Sequence, residues 1–62
     1  MKHLYYLVYY HHRRNETARF HVTGHTKFDA EMQVQQYLGT IDWRLKTSQH
    51  LCLTNDTVFL KE

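Results

Sequence analysis

A chain of 62 residues with eight Lys/Arg against six Asp/Glu, formal charge +2, is 42% hydrophobic and 15% aromatic, which excludes a disordered tail and leaves room for one domain, residues 1–62. Its single cysteine, Cys52, excludes an intramolecular disulfide and a four-cysteine zinc site, and fits a reducing compartment. No apolar run approaches the roughly 20 residues that span a bilayer, and MKHLYYLVYYHHRR lacks a small-residue cleavage site, so the expected location is cytoplasmic, with no membrane partner.

Residues 3 to 12 are rich in tyrosine, valine and leucine, and their composition predicts a strand. Its faces are Leu4, Tyr6, Val8 and Tyr10 on one side and His3, Tyr5, Leu7, Tyr9 and His11 on the other. The even-numbered set is the more continuously apolar and is expected to face the core. Hairpin loop parity decides between the two, because a one-residue slip exchanges the faces. RRNET, residues 13 to 17, reads as that loop. ARFHVT then alternates, with Ala18, Phe20 and Val22 on one face and Arg19, His21 and Thr23 on the other.

Gly24 breaks the strand, and Thr26 with Asp29 provides a helix start, a capping hydroxyl followed by a carboxylate at the positive end. Ala30, Val34, Tyr37, Leu38 and Ile41 form one helical stripe, although Gly39 is a natural helix stop that would hand Ile41 to the next element. IDWRLK alternates again, with Ile41, Trp43 and Leu45 inward. Leu51 and Leu53 follow TSQ, TNDT reads as a tight turn, and Val58 to Leu60 close the chain as a strand. The expectation is a single small α+β domain of ββαββ order, with an optional fifth strand and one helix packed on one face of an antiparallel or mixed sheet. This element order resembles that of the small β-grasp domains. The resemblance extends to no motif, so it implies a fold and not a function.

With the even-numbered residues inward, the outer face carries Tyr5, Leu7 and Tyr9 beside Arg19 and His21, with Arg44 and Lys46 nearby. Tyrosine and arginine are favoured in binding hot spots, and a large uncovered apolar patch marks an interaction site. Tyr5, Tyr9, Arg13, Arg14, Arg19 and His21 are therefore the first contact candidates. Phe28 and Met32, four apart on the helix and off its stripe, are the second. The resulting reading is a non-enzymatic protein-interaction module, an inhibitor or adaptor of a larger protein, of a kind common among phage and mobile-element genes. The alternative is a nucleic-acid-binding domain using Arg13, Arg14, Arg19, Arg44 and Lys46 with stacking tyrosines. Glu16, Asp42, Asp56 and Glu62, scattered among the same elements, weigh against it. A homodimer through the same tyrosines is a third arrangement.

The chemical motifs are weak. His11 and His12 are adjacent, and His21 and His25 flank Gly24, yet no carboxylate cluster or second cysteine joins them. Cys52 lies near His50 and Asp56, but within HLCLT it reads as a small strand hydrophobe. No metal, cofactor or catalytic residue is expected.

Overall fold

The computed structural model describes residues 1–62. It contains strands β1 (Lys2–His11) and β2 (Glu16–Gly24), helix α1 (Lys27–Leu38), and strands β3 (Trp43–Thr54) and β4 (Phe59–Lys61). The four strands form one sheet in the order β3-β1-β2-β4, antiparallel at every pairing. Since β2 and β3 each run against β1, they are parallel to each other, and α1 carries the chain between them across β1 as a split βαβ unit. This is the α+β arrangement expected of the sequence. The likeness to β-grasp domains stops at element order, because β4 pairs with β2 at the sheet margin and no parallel strands are adjacent.

No fifth strand forms. β3 continues unbroken through Thr47–Ser48–Gln49 because β1 offers it a partner along its whole length, from Lys2 opposite Thr54 to His11 opposite Trp43. Twelve residues facing ten leave two over. Lys46 and Leu51 are absorbed as bulges, where the register shifts between Val8/Tyr9 and Leu4/Tyr5.

The first hairpin sets the core. His11 pairs with Glu16, which leaves His12–Asn15 as a four-residue connection. Asn15 takes a left-handed backbone with φ of 55°, a conformation that asparagine tolerates. The Tyr10 hydroxyl reaches back to donate to Asn15 Oδ1 at 2.5 Å. An even-length connection sets odd-numbered residues of β1 opposite even-numbered residues of β2: Tyr5 faces Val22, Leu7 faces Phe20 and Tyr9 faces Ala18. Directly opposed residues share a face, so the odd-numbered set of β1 is the buried one, the reverse of the sequence expectation. Leu7, Phe20, Val22, Ala30 and Val34 are fully enclosed, and Tyr5, Tyr9 and Ala18 complete the cluster. Leu38, Trp43 and Leu45 pack at its rim. The Tyr9 ring meets Phe20 edge-on, with centroids 6.1 Å apart, a favoured aromatic geometry.

The helix begins and ends where its capping residues predict. Thr26 accepts from the Asp29 backbone N–H at 3.0 Å, and the Asp29 carboxylate accepts from the His25 N–H at 2.9 Å. Together they satisfy amides that the helix itself leaves unpaired. Gly39, with φ of 73°, closes the other end by donating to the Gln35 carbonyl. Of the expected stripe, Ala30 and Val34 are buried and Leu38 is half-buried. Tyr37 is exposed but lies edge-on to Phe20 and beside Phe59. Ile41 belongs to neither stripe nor strand: it sits in the turn after Gly39, 88% exposed. The short β4 is held by Thr23, whose N–H donates to the Val58 carbonyl at 3.0 Å and whose hydroxyl accepts from the Val58 N–H at 2.9 Å.

Gly24 is fixed by the close approach of β2 to the helix start. A Cβ there would lie 2.8 Å from Ala30 N and 2.9 Å from Thr26 O, both backbone atoms. Gly24→Ala is therefore expected to cost about 1–3 kcal/mol, the usual penalty of overpacking, read as a lower midpoint in urea. Burial, reinforced by the charge of Glu31, pushes the Tyr9 hydroxyl up to about 12. Below the unfolded value of 10 the phenol is neutral in both states and pH has no effect through it. Between 10 and 12 the unfolded chain ionises while the folded one does not, so stability falls as pH rises through this window. Thermal melts across pH 9–12 are expected to show that fall, and Tyr9→Phe to make it shallower.

Candidate functional site: an open sheet face of tyrosines and cations

The single helix covers the β1 and β2 residues facing Phe20, and no second layer covers the opposite side of the sheet, although Thr57 and Val58 close its end at Lys2 and Thr23. Along β1 this open face carries Leu4, Tyr6, Val8 and Tyr10. Across from them on β2 lie Thr23, His21, Arg19 and Thr17, and on β3 Cys52, Gln49, Thr47 and Arg44. Leu60 of β4 stands opposite His21 and is 62% exposed.

Both rings on this face are held by neighbours. Tyr6 lies against His21 with centroids 5.0 Å apart, and Tyr10 is tethered through its hydroxyl to Asn15. Tyr10, Arg44, Leu45 and Lys46 line a shallow groove of about 320 Å³. Lys46, inserted by the bulge, lines this groove together with Arg44. Lys2, Arg19, Arg44 and Lys46 thus belong to the strands or bulge of this face, whereas the only acidic residue within any strand, Glu16, pairs with His11 on the helix side. The face is therefore apolar at its centre and cationic around it, with no carboxylate among its strand residues; just past β4, Glu62 donates its N–H to the Arg19 carbonyl and brings a carboxylate to that margin.

No family model, curated protein or solved structure matches this chain.

The residues singled out in the sequence separate into four groups. Arg19, His21, Arg44 and Lys46 do come together on the open face. Tyr5 and Tyr9 do not: at 9% and 2% exposure they are core residues facing the helix, so neither docking nor homodimerisation through their rings is open to them. Their place is taken by Tyr6 and Tyr10, which the reversed register brings out and which the expected face assignment put inside. Arg13 and Arg14 project from the hairpin tip, 74% and 67% exposed. There they sit within 3.7 Å of Asp42 and 3.8 Å of Glu16, loose pairs worth little in solvent. Phe28 and Met32 point away from the sheet on the outer side of α1, 71% and 41% exposed.

The histidines divide into separate environments. His11 is buried, its Nδ1 accepting from the Arg14 N–H and its Nε2 lying 3.8 Å from Asp42, with the Trp43 ring edge-on beside it. Its role is to seal the hairpin end of the core. His3 and His50 join across β1 and β3, with ring nitrogens 2.9 Å apart. No group of three or more His, Cys, Asp or Glu side chains could hold a metal ion. Cys52 is an exposed free thiol on the open-face side of β3.

Proposed function

We propose that this protein is a binding module that occludes a surface of a larger protein, as an inhibitor or adaptor, and that the open sheet face is its docking surface. The observation that carries this reading is the composition of that face: Leu4 and Leu60 with Tyr6 and Tyr10, Val8 beneath them being buried, framed by Arg19, Arg44 and Lys46 and with no carboxylate within its strands. Apolar and aromatic anchors supply the desolvation energy of docking. The surrounding cations select an acidic partner and accelerate encounter. Because the rings are already fixed against His21 and Asn15, little side-chain entropy is lost on docking. The exposed thiol of Cys52 suits a reducing cytoplasm. No helix of the chain is long and apolar enough to cross a membrane. A phage or mobile-element origin fits a binding protein of this economy.

The absence of strand carboxylates also favours a second reading, single-stranded nucleic acid. Tyr6 and Tyr10, four strand positions apart, would then act as stacking platforms and the cations as phosphate contacts.

Two measurements with the same variant decide. In Arg19→Glu/Arg44→Glu/Lys46→Glu the circular dichroism spectrum is expected to be unchanged, since all three side chains are exposed. Affinity capture is expected to yield a protein bound by the wild type, lost by this triple variant and retained by Phe28→Ser on the far side of α1. Fluorescence anisotropy with labelled single-stranded DNA and RNA is expected to show no binding at low salt. Binding that weakens with a log–log salt slope of about −2, as for three phosphate contacts on a single strand, would replace the protein reading with the nucleic-acid one.

A further inference from the structure

The two margins of the sheet are unequal. β4 offers three residues, one of them Lys61. β3 offers twelve, paired with β1 on one side only and with no helix beside it on the other. From Thr47 to Thr54 that free edge carries no Lys, Arg, Asp or Glu, and the chain has no proline to interrupt pairing. Leu51 and Leu53, 41% and 52% exposed, stand at one end of the strand. Trp43 and Leu45, only partly covered by the core, stand at the other. A free edge uncharged over its last eight residues is a template for adding a strand.

We propose that the occupant is a second copy of this chain, pairing β3 with β3 in antiparallel fashion about a two-fold axis at Ser48, and extending the sheet to eight strands. This contact is separate from the docking face.

Strand β3 is complementary to itself about that point. Residues opposite each other across the axis have numbers that sum to 96, so Trp43 meets Leu53 of the other copy and Leu45 meets Leu51. The partly covered ends of two cores then close on the exposed leucines. The faces agree at both the centre and the ends: Thr47 and Gln49 are both on the open face, Arg44 and Cys52 likewise, and Trp43 and Leu53 both on the helix side. The two bulges, ordinarily a device that blocks edge pairing, fall opposite one another, Leu45–Lys46 of one copy against His50–Leu51 of the other. Charge obeys the same symmetry. The cations of β3, Arg44 and Lys46, lie in its first half, so antiparallel pairing sets each against the uncharged half of its partner. The two Arg44 side chains are then eight strand positions apart, about 26 Å at roughly 3.3 Å per residue, well beyond the range of salt-screened repulsion.

A two-fold axis perpendicular to the sheet keeps both open faces on the same side. The dimer presents two tyrosine-and-cation patches side by side, a bivalent surface.

Sedimentation equilibrium of the full chain from about 1 to several hundred micromolar is expected to show a monomer passing to a dimer of twice 7.6 kDa. Leu51→Lys/Leu53→Lys is expected to raise the dissociation constant at least tenfold while leaving the dilute circular dichroism spectrum unchanged. In a Cys52→Ser background, Ser48→Cys is expected to form a disulfide-linked dimer under mild oxidation, since each cysteine meets its own copy at the axis. Thr54→Cys in the same background is expected to cross-link far more slowly. A monomer throughout the concentration range, a dimer indifferent to the two lysines, or cross-linking no faster at position 48 than at position 54 would each overturn the proposal.

Discussion

Leu7 and Phe20 stand directly opposite each other in the middle of the sheet, both wholly buried, and the placement of nearly every functional side chain follows from that pairing. It is imposed by the four residues His12–Asn15, whose even number sets Tyr5, Leu7 and Tyr9 opposite Val22, Phe20 and Ala18. Given that these β2 residues meet Ala30 and Val34 of the helix, the other face of β1 has no layer to cover it. Leu4, Tyr6, Val8 and Tyr10 are turned outward by the geometry of a turn several residues away. The sticky outer face is a consequence of having two apolar sides to one central strand and only one helix.

The element order could be read from local chemistry: aromatic and β-branched runs for the strands, Thr26 and Asp29 for the helix start, Gly39 for its end. Each of those signals acts through groups within a few residues of each other. The choice of inward face for β1 could not be read this way. Both candidate sets contain two tyrosines and aliphatic partners, so hydrophobicity nearly balances, and the decision rests on loop parity. Arg19, His21, Arg44 and Lys46 were legible as surface because each alternates with an unmistakably apolar residue. The continuity of β3 was illegible for a different reason. The polar stretch Thr47–Gln49 looks like a break, and only the length of its partner β1 and two bulges keep it in the sheet.

The same economy shapes how the domain interacts. Twelve of 62 residues are buried, a core large enough to hold one helix on two strands and too small to shelter β3 or the second face of the sheet. Surface left bare in this way is free to be used. The open face supplies anchors with cations around them, and the free edge of β3 supplies backbone hydrogen-bonding groups beside Leu51 and Leu53. These are two kinds of contact, one made by side chains against a partner's surface and the other by main chain in register, and Arg44 and Lys46 of β3 contribute side chains to the first and backbone to the second.

The facing of β1 determines which side chains form the docking surface, and solvent paramagnetic relaxation of the assigned tyrosine ring protons measures it directly. With a soluble gadolinium chelate, the rings of Tyr6 and Tyr10 are predicted to relax several-fold faster than those of Tyr5 and Tyr9. Protection of Tyr6 and Tyr10 with Tyr5 and Tyr9 accessible would show the opposite register and contradict the docking surface derived from it.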